Sequence, residues 1–212
     1  MSIRFRSSIA TSFIVAIGSF AGMGQMAIAQ TVKVPPVPDG LQAPEGTTAF
    51  LEGHATGTQD YICLPSGAGF AWTFFSPQAT LFTDFKVFQK DVRQQIITHF
   101  LSPNPIENGM ARATWQSSID TSAVWAKTSK SSVDANFVAT GAIPWLLLEV
   151  VGAQPGPAGG SFLTPTLAVQ RLNTHGGVAP SDGCSQPANV GATALVPYTA
   201  DYFFYKKADS AH

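Results

Sequence analysis

The sequence predicts an all-β domain, an antiparallel β-sandwich or barrel of about ten short strands. Three observations carry that expectation. Apolar and polar residues alternate over short runs, most cleanly at 198–205, where Tyr198, Ala200, Tyr202 and Phe204 share one face and Thr199, Asp201, Phe203 and Tyr205 the other. The 19 Gly and 15 Pro among 212 residues interrupt the chain too often for long helices. Charged residues amount to 12%, about half the roughly 25% of ordinary soluble domains, as suits strands whose solvent faces are served by Thr, Ser, Gln and Asn.

Residues 1–29 read as a signal peptide. Arg4 and Arg6 precede an apolar, small-residue stretch at 9–20, and Ala27-Ile28-Ala29 before Gln30 forms an A-x-A cleavage site. A membrane anchor is the alternative, but Thr11, Ser12, Gly18, Ser19, Gly22, Gly24 and Gln25 break up the roughly 20 apolar residues a span requires. A secreted or periplasmic location follows, with no transmembrane segment after cleavage. Residues 30–46, with Pro35, Pro36, Pro38 and Pro44, read as an extended leader, and 47–212 as a single β domain.

Within that domain the candidate strands are 47–52, 59–63, 70–75, 80–88, 94–101, 113–117, 123–127, 145–151, 162–172, 194–196 and 198–205. Segment 145–151 is apolar on both faces apart from Glu149 and starts after Pro144. It suits a strand covered on both sides, with a short buried helix as the alternative. Segment 83–97 has some helical look but fits two strands joined by a turn. Strands do not alternate with helices, which argues against a parallel α/β sheet.

Cys63 and Cys184 are the only cysteines, and in an exported chain a disulfide between them is the default. A formal charge of −1 gives no footprint for nucleic acid or an anionic membrane. The glycine-rich stretch 152–160 lacks the spacing and the lysine of a phosphate loop and reads as a hairpin loop. There is no G-x-S-x-G elbow and no H-E-x-x-H. A metal site from His54, His99 and His175 would need three separate segments to meet, so no metal or cofactor is expected.

Three stretches are richer in chemistry than ordinary loops: 57–63, 99–125 and 170–184. The last sets Gln170, Arg171, Asn173, Thr174 and His175 before Gly176-Gly177, whose positive-φ freedom suits a tight turn. Trp115 and Trp125 sit among Thr, Gln, Ser and Lys, where an indole can stack on a ligand while polar neighbours orient it; Trp145, inside its apolar run, reads as core.

These stretches resemble the DUF3455 family of secreted bacterial and fungal proteins. The likeness rests on Gly57-Thr58-Gln59-Asp60-Tyr61-Ile62-Cys63, His99-Phe100, Thr114-Trp115, Ile143-Pro144-Trp145-Leu146-Leu147, the run from Gln170 to Pro180, Cys184, and the run from Pro197 to Tyr205. Segment 101–113 is longer than that family's usual connection. The resemblance implies export and a single domain, and supplies no activity.

The leading functional expectation is a non-enzymatic module in the envelope or outside the cell. It would bind a neutral, amphipathic or saccharide-like small molecule or glycan through Gln59, Trp115, Trp125, Arg171 and His175. A hydrolase or metal-dependent enzyme using His99, Asp120 and His175 is one alternative; a structural or stress-related surface protein without a sizeable pocket is the other.

Overall fold

The computed structural model describes residues 32–209, so the expected signal peptide lies outside the described residues. Eight strands run in chain order: β1 Thr47–Ser66, β2 Gly69–Val87, β3 Lys90–Asn104, β4 Met110–Ser117, β5 Ala123–Ser132, β6 Trp145–Gln154, β7 Ala168–Gly176 and β8 Thr193–Lys207. Each pairs antiparallel with the next, and β8 pairs with β1, closing the sheet into a barrel. The all-β antiparallel expectation holds.

The strands are fewer and longer than the sequence suggested, for a physical reason that Gly57 illustrates. Segments 47–52 and 59–63 looked separate because Gly53 and Gly57 lie between them, yet β1 runs through both without a break. A Cβ on Gly57 would stand 2.0 Å from the Gln78 carbonyl oxygen and 2.5 Å from Ala79 Cα. This glycine therefore marks a close approach within a strand. Segments 70–75 and 80–88 likewise merge into β2, and 194–196 and 198–205 into β8. The helical look of 83–97 is a hairpin, β2 returning as β3 through Phe88 and Gln89, both at positive φ (47° and 63°). Segment 101–113 extends the β3–β4 hairpin: Leu101 pairs with Ala113 and Asn104 with Met110, around a 3-10 turn at Pro105–Glu107.

Alternation sorts the side chains into two cores. Inside the barrel, Leu81, Ile97, Trp115, Val124, Val169, Tyr202 and Phe204 are buried together. Residues 162–167, expected as strand, instead fold Leu163 into that interior and leave β7 to begin at Ala168. Outside, Trp145, Leu172, Phe203 and Tyr205 are covered by the leader, from which Leu41 is fully buried and Val32, Val34, Val37 and Ala43 pack alongside. Both faces of 145–151 are thus occupied, and it is the strand β6. Cys63 and Cys184 form a disulfide across a sequence separation of 121, tying the end of β1 to the long connection between β7 and β8.

Candidate functional site

Because side chains alternate across the barrel wall, each strand contributes inward residues, and those of all eight meet in one interior cavity of about 100 Å³. Gln59 of β1, Pro77 of β2, His99 of β3, Trp115 of β4, Thr128 of β5, Leu148 of β6, Arg171 of β7 and Tyr202 of β8 all line it. Phe74, 47% exposed, stands at its rim.

An aromatic cluster forms one part of the lining. His99 stacks on Trp115 with ring centroids 4.3 Å apart and planes 8° from parallel, and Tyr202 leans on both at 5.2 and 5.6 Å. His99 Nδ1–H donates to the Thr114 carbonyl at 2.8 Å, which fixes the proton on Nδ1. Burial, which penalises the charged ring, lowers the His99 pKa to about 3, so the ring is neutral. Tyr198 and Tyr202 approach each other through their hydroxyls at 3.2 Å, and burial raises the pKa of both phenols, keeping them protonated.

Polar groups complete the lining. Arg171 is 8% exposed, and among the described residues no carboxylate pairs with it. Its Nε and Nη2 both donate to the Pro144 carbonyl, at 3.3 and 2.9 Å. Its positive charge acts on His99, Tyr61, Tyr198 and Tyr202, and it also reaches the Tyr202 hydroxyl as a hydrogen-bond donor. Gln59 Nε2 and Trp115 Nε1 are buried N–H donors without a partner. Nearly all buried polar groups in proteins are hydrogen-bonded, so two orphaned donors lining one cavity beside an uncompensated guanidinium are unusual.

The other residues singled out in the sequence lie elsewhere. Trp125 faces the outer wall, where its Nε1 donates to Ser102 Oγ at 2.8 Å. His175 is exposed. Asp120 sits in the β4–β5 turn, its carboxylate accepting from Ser122 N, Ser122 Oγ and Phe162 N. Burial raises the Asp120 pKa, but these hydrogen bonds outweigh it and hold the carboxyl down at about 2. Gly156 and Gly160 of the glycine-rich loop pack against this residue, so that loop is built around Asp120. In the 170–184 stretch most polar groups serve the fold: Gln170 bridges Tyr205 to the Leu41 carbonyl, and Thr174 Oγ1 donates to the Ile143 carbonyl. Gly176 and Gly177 adopt the expected positive φ, 68° and 82°.

Two further clusters were not legible in the sequence. On the outer wall, Glu52, His54 and Asp201 bring donor atoms within 4.8 Å of one another. His54 Nδ1 donates to one oxygen of Asp201 at 2.7 Å and Asn173 Nδ2 to the other at 2.8 Å, which makes the group a clamp joining β1, β7 and β8. A wider open depression of about 920 Å³ lies outside β1–β3, floored by Thr56, Thr58, Gln78, Thr80 and Thr98. Those hydroxyls and amides are as well served by solvent as by a ligand.

Fold and site together define a closed, eight-stranded up-and-down barrel with a small interior cavity lined by aromatic rings and unpaired donors. The chain belongs to the DUF3455 family, whose model, described as a protein of unknown function, matches residues 44–206. No curated protein and no solved structure matches the chain. Among the described residues no helix is long and apolar enough to cross a membrane.

Proposed function

We propose that the protein is an exported, non-enzymatic binding module that takes an amphipathic small molecule into the barrel interior. One observation carries this reading: Gln59, His99, Trp115, Arg171 and Tyr202, from five strands, converge on a cavity where the protein leaves Gln59 Nε2 and Trp115 Nε1 without a hydrogen-bond partner. An eight-stranded barrel is just wide enough to be filled by its own side chains or to hold one small ligand. Apolar walls with a few convergent polar groups are the usual makeup of a ligand pocket.

The amphipathic reading is favoured over the saccharide one. Trp115 is 0% exposed and one of its faces is taken by His99, so it offers no open platform for a sugar ring. The enzymatic alternative gains nothing from His99, Asp120 and His175, since no hydrogen bond joins any two of them among the described residues.

The test is a titration of the purified protein with alkyl alcohols, amides, acids and glycans, read by tryptophan fluorescence and melting temperature. An amphipathic compound is expected to shift both signals, and Ala113→Leu, which adds bulk to the cavity lining, to abolish the response. Silence from every compound, or binding untouched by Ala113→Leu, overturns the reading.

A further inference from the structure

Resting on that reading, we infer that the polar end of the ligand is a carboxylate, received by Arg171 together with Gln59 Nε2 and the Trp115 indole. Charge is the first argument. A guanidinium is never deprotonated in a protein and is rarely buried without an anion. Arg171 is 8% exposed; the Pro144 carbonyl, a neutral acceptor, takes two of its donors and the Tyr202 hydroxyl is also within its reach, while among the described residues the side chain has no anionic partner. The chain is otherwise poor in charge, which makes a buried cation costlier to explain as a by-product of surface composition.

Donor inventory is the second argument. Gln59 is 4% exposed and Trp115 0%, and both line the cavity; the Trp115 N–H has no partner, and Gln59 Nε2 has none within hydrogen-bonding distance, the Tyr198 hydroxyl being the group it lies toward. A carboxylate is acceptor-only, with about four lone-pair sites on two oxygens, so it matches a set consisting of a cation and two N–H donors. An alcohol or amide head brings donors of its own to a site already rich in them.

Size and apolar lining set the rest of the ligand. An empty cavity of roughly 150 Å³ accommodates benzene, so about 100 Å³ admits the carboxylate and the first few carbons of a chain. Leu101, Ala113, Leu146 and Leu148 supply apolar wall, and the partly exposed Phe74 stands where a longer chain would emerge. The ligand class is a short monocarboxylic acid.

Matched pairs test this: butyrate, hexanoate and octanoate against the amide and alcohol of the same length, titrated into the wild type at constant ionic strength by fluorescence and calorimetry. Carboxylates are expected to bind at least tenfold more tightly than their amides. Arg171→Gln is expected to remove about tenfold to a hundredfold of that affinity, the range for a hydrogen bond to a charged group. Gln59→Leu is expected to weaken the acids more than the alcohols. Near-ultraviolet circular dichroism checks that each variant is folded; if Arg171→Gln does not fold, the wild-type pairs and Gln59→Leu decide. Amides or alcohols binding as well as acids would overturn the carboxylate while leaving the binding module intact. Acid affinity unchanged in a folded Arg171→Gln would do the same. Binding by none of the compounds would overturn both.

Discussion

His99 is held neutral, its Nδ1–H bonded to Thr114 and its pKa lowered by burial to about 3. Below its unfolded pKa of 6.5 the unfolded chain takes up a proton that the folded ring refuses. The contribution is therefore complete above pH 6.5 and is lost as pH falls toward 3. Between pH 6.5 and 5 this amounts to about 2 kcal/mol, at 1.36 kcal/mol per pH unit. Asp120, with its folded pKa down at about 2, contributes in the same direction but at lower pH, as an acid whose stabilisation is lost below about pH 4. Urea unfolding at pH 7.5 and 5 should show this loss in the wild type and not in His99→Phe, which keeps a ring against Trp115 but cannot titrate. Equal pH slopes in the two proteins would refute the assignment. At this scale the sequence was legible in part. Residue type nominated Gln59, Trp115 and Arg171, but nothing local distinguished them from Trp125 and His175. Strict alternation even places Arg171 and His175 on the same face; the bulge between Leu172 and His175, with Asn173 at φ 49°, turns His175 outward.

The strand β1 shows what the elements require of their residues. Its pairing with β2 leaves no room for a side chain at Gly57, where the obstructing atoms are backbone rather than a flexible side chain. Gly57→Ala should therefore destabilise by about 1–3 kcal/mol, the range for overpacking, measured as a drop in the urea midpoint. A neutral outcome would mean that β1 and β2 separate more easily than their register suggests. The same strand carries one half of the disulfide near its end. Cys63 exchanges backbone hydrogen bonds with residues 191 and 192 in addition to its bond to Cys184. Closing a loop across 121 residues constrains the unfolded chain by about 4–5 kcal/mol in the loop-entropy account. Removing both thiols as Cys63→Ser with Cys184→Ser should lower stability by an amount of that order, and reductant should lower the melting temperature of the wild type but not of the double variant. Element type was readable from alternation, whereas element length was not. Glycines inside β1 resemble breaks, and the β2–β3 turn uses Phe88-Gln89 instead of a glycine or asparagine pair.

Across the whole molecule, the leader is as much a part of the fold as the barrel. Val32, Val34, Val37 and Ala43 flank the fully buried Leu41 over the outer faces of Trp145, Phe203 and Tyr205, and Gln170 fastens the Leu41 carbonyl to the Tyr205 hydroxyl. Leu41→Ala should lower unfolding stability by about 2–5 kcal/mol, the range for a truncated core leucine. A change within about 0.5 kcal/mol, typical of a surface site, would show that the leader only rests on the barrel. This second core also explains why 145–151 is apolar on both faces. The low overall charge has the same origin, since side chains on both sides of β6–β8 are removed from water.

By itself the sequence determined the all-β class, the pairing of Cys63 with Cys184 and the division of the β8 side chains into two faces, because period-two alternation and a lone cysteine pair are local or compositional facts. Only the tertiary structure decided that the sheet closes, that the leader covers its outer wall, and that Gln59, His99, Trp115, Arg171 and Tyr202 meet in one cavity. The physical reason is register. Which inward residues face one another across a barrel depends on strand stagger and on the bulges in β1, β2, β5, β7 and their partners, and none of these leaves a mark in the hydrophobic pattern. That is why a buried arginine without an anion could be seen only once all eight strands were in place.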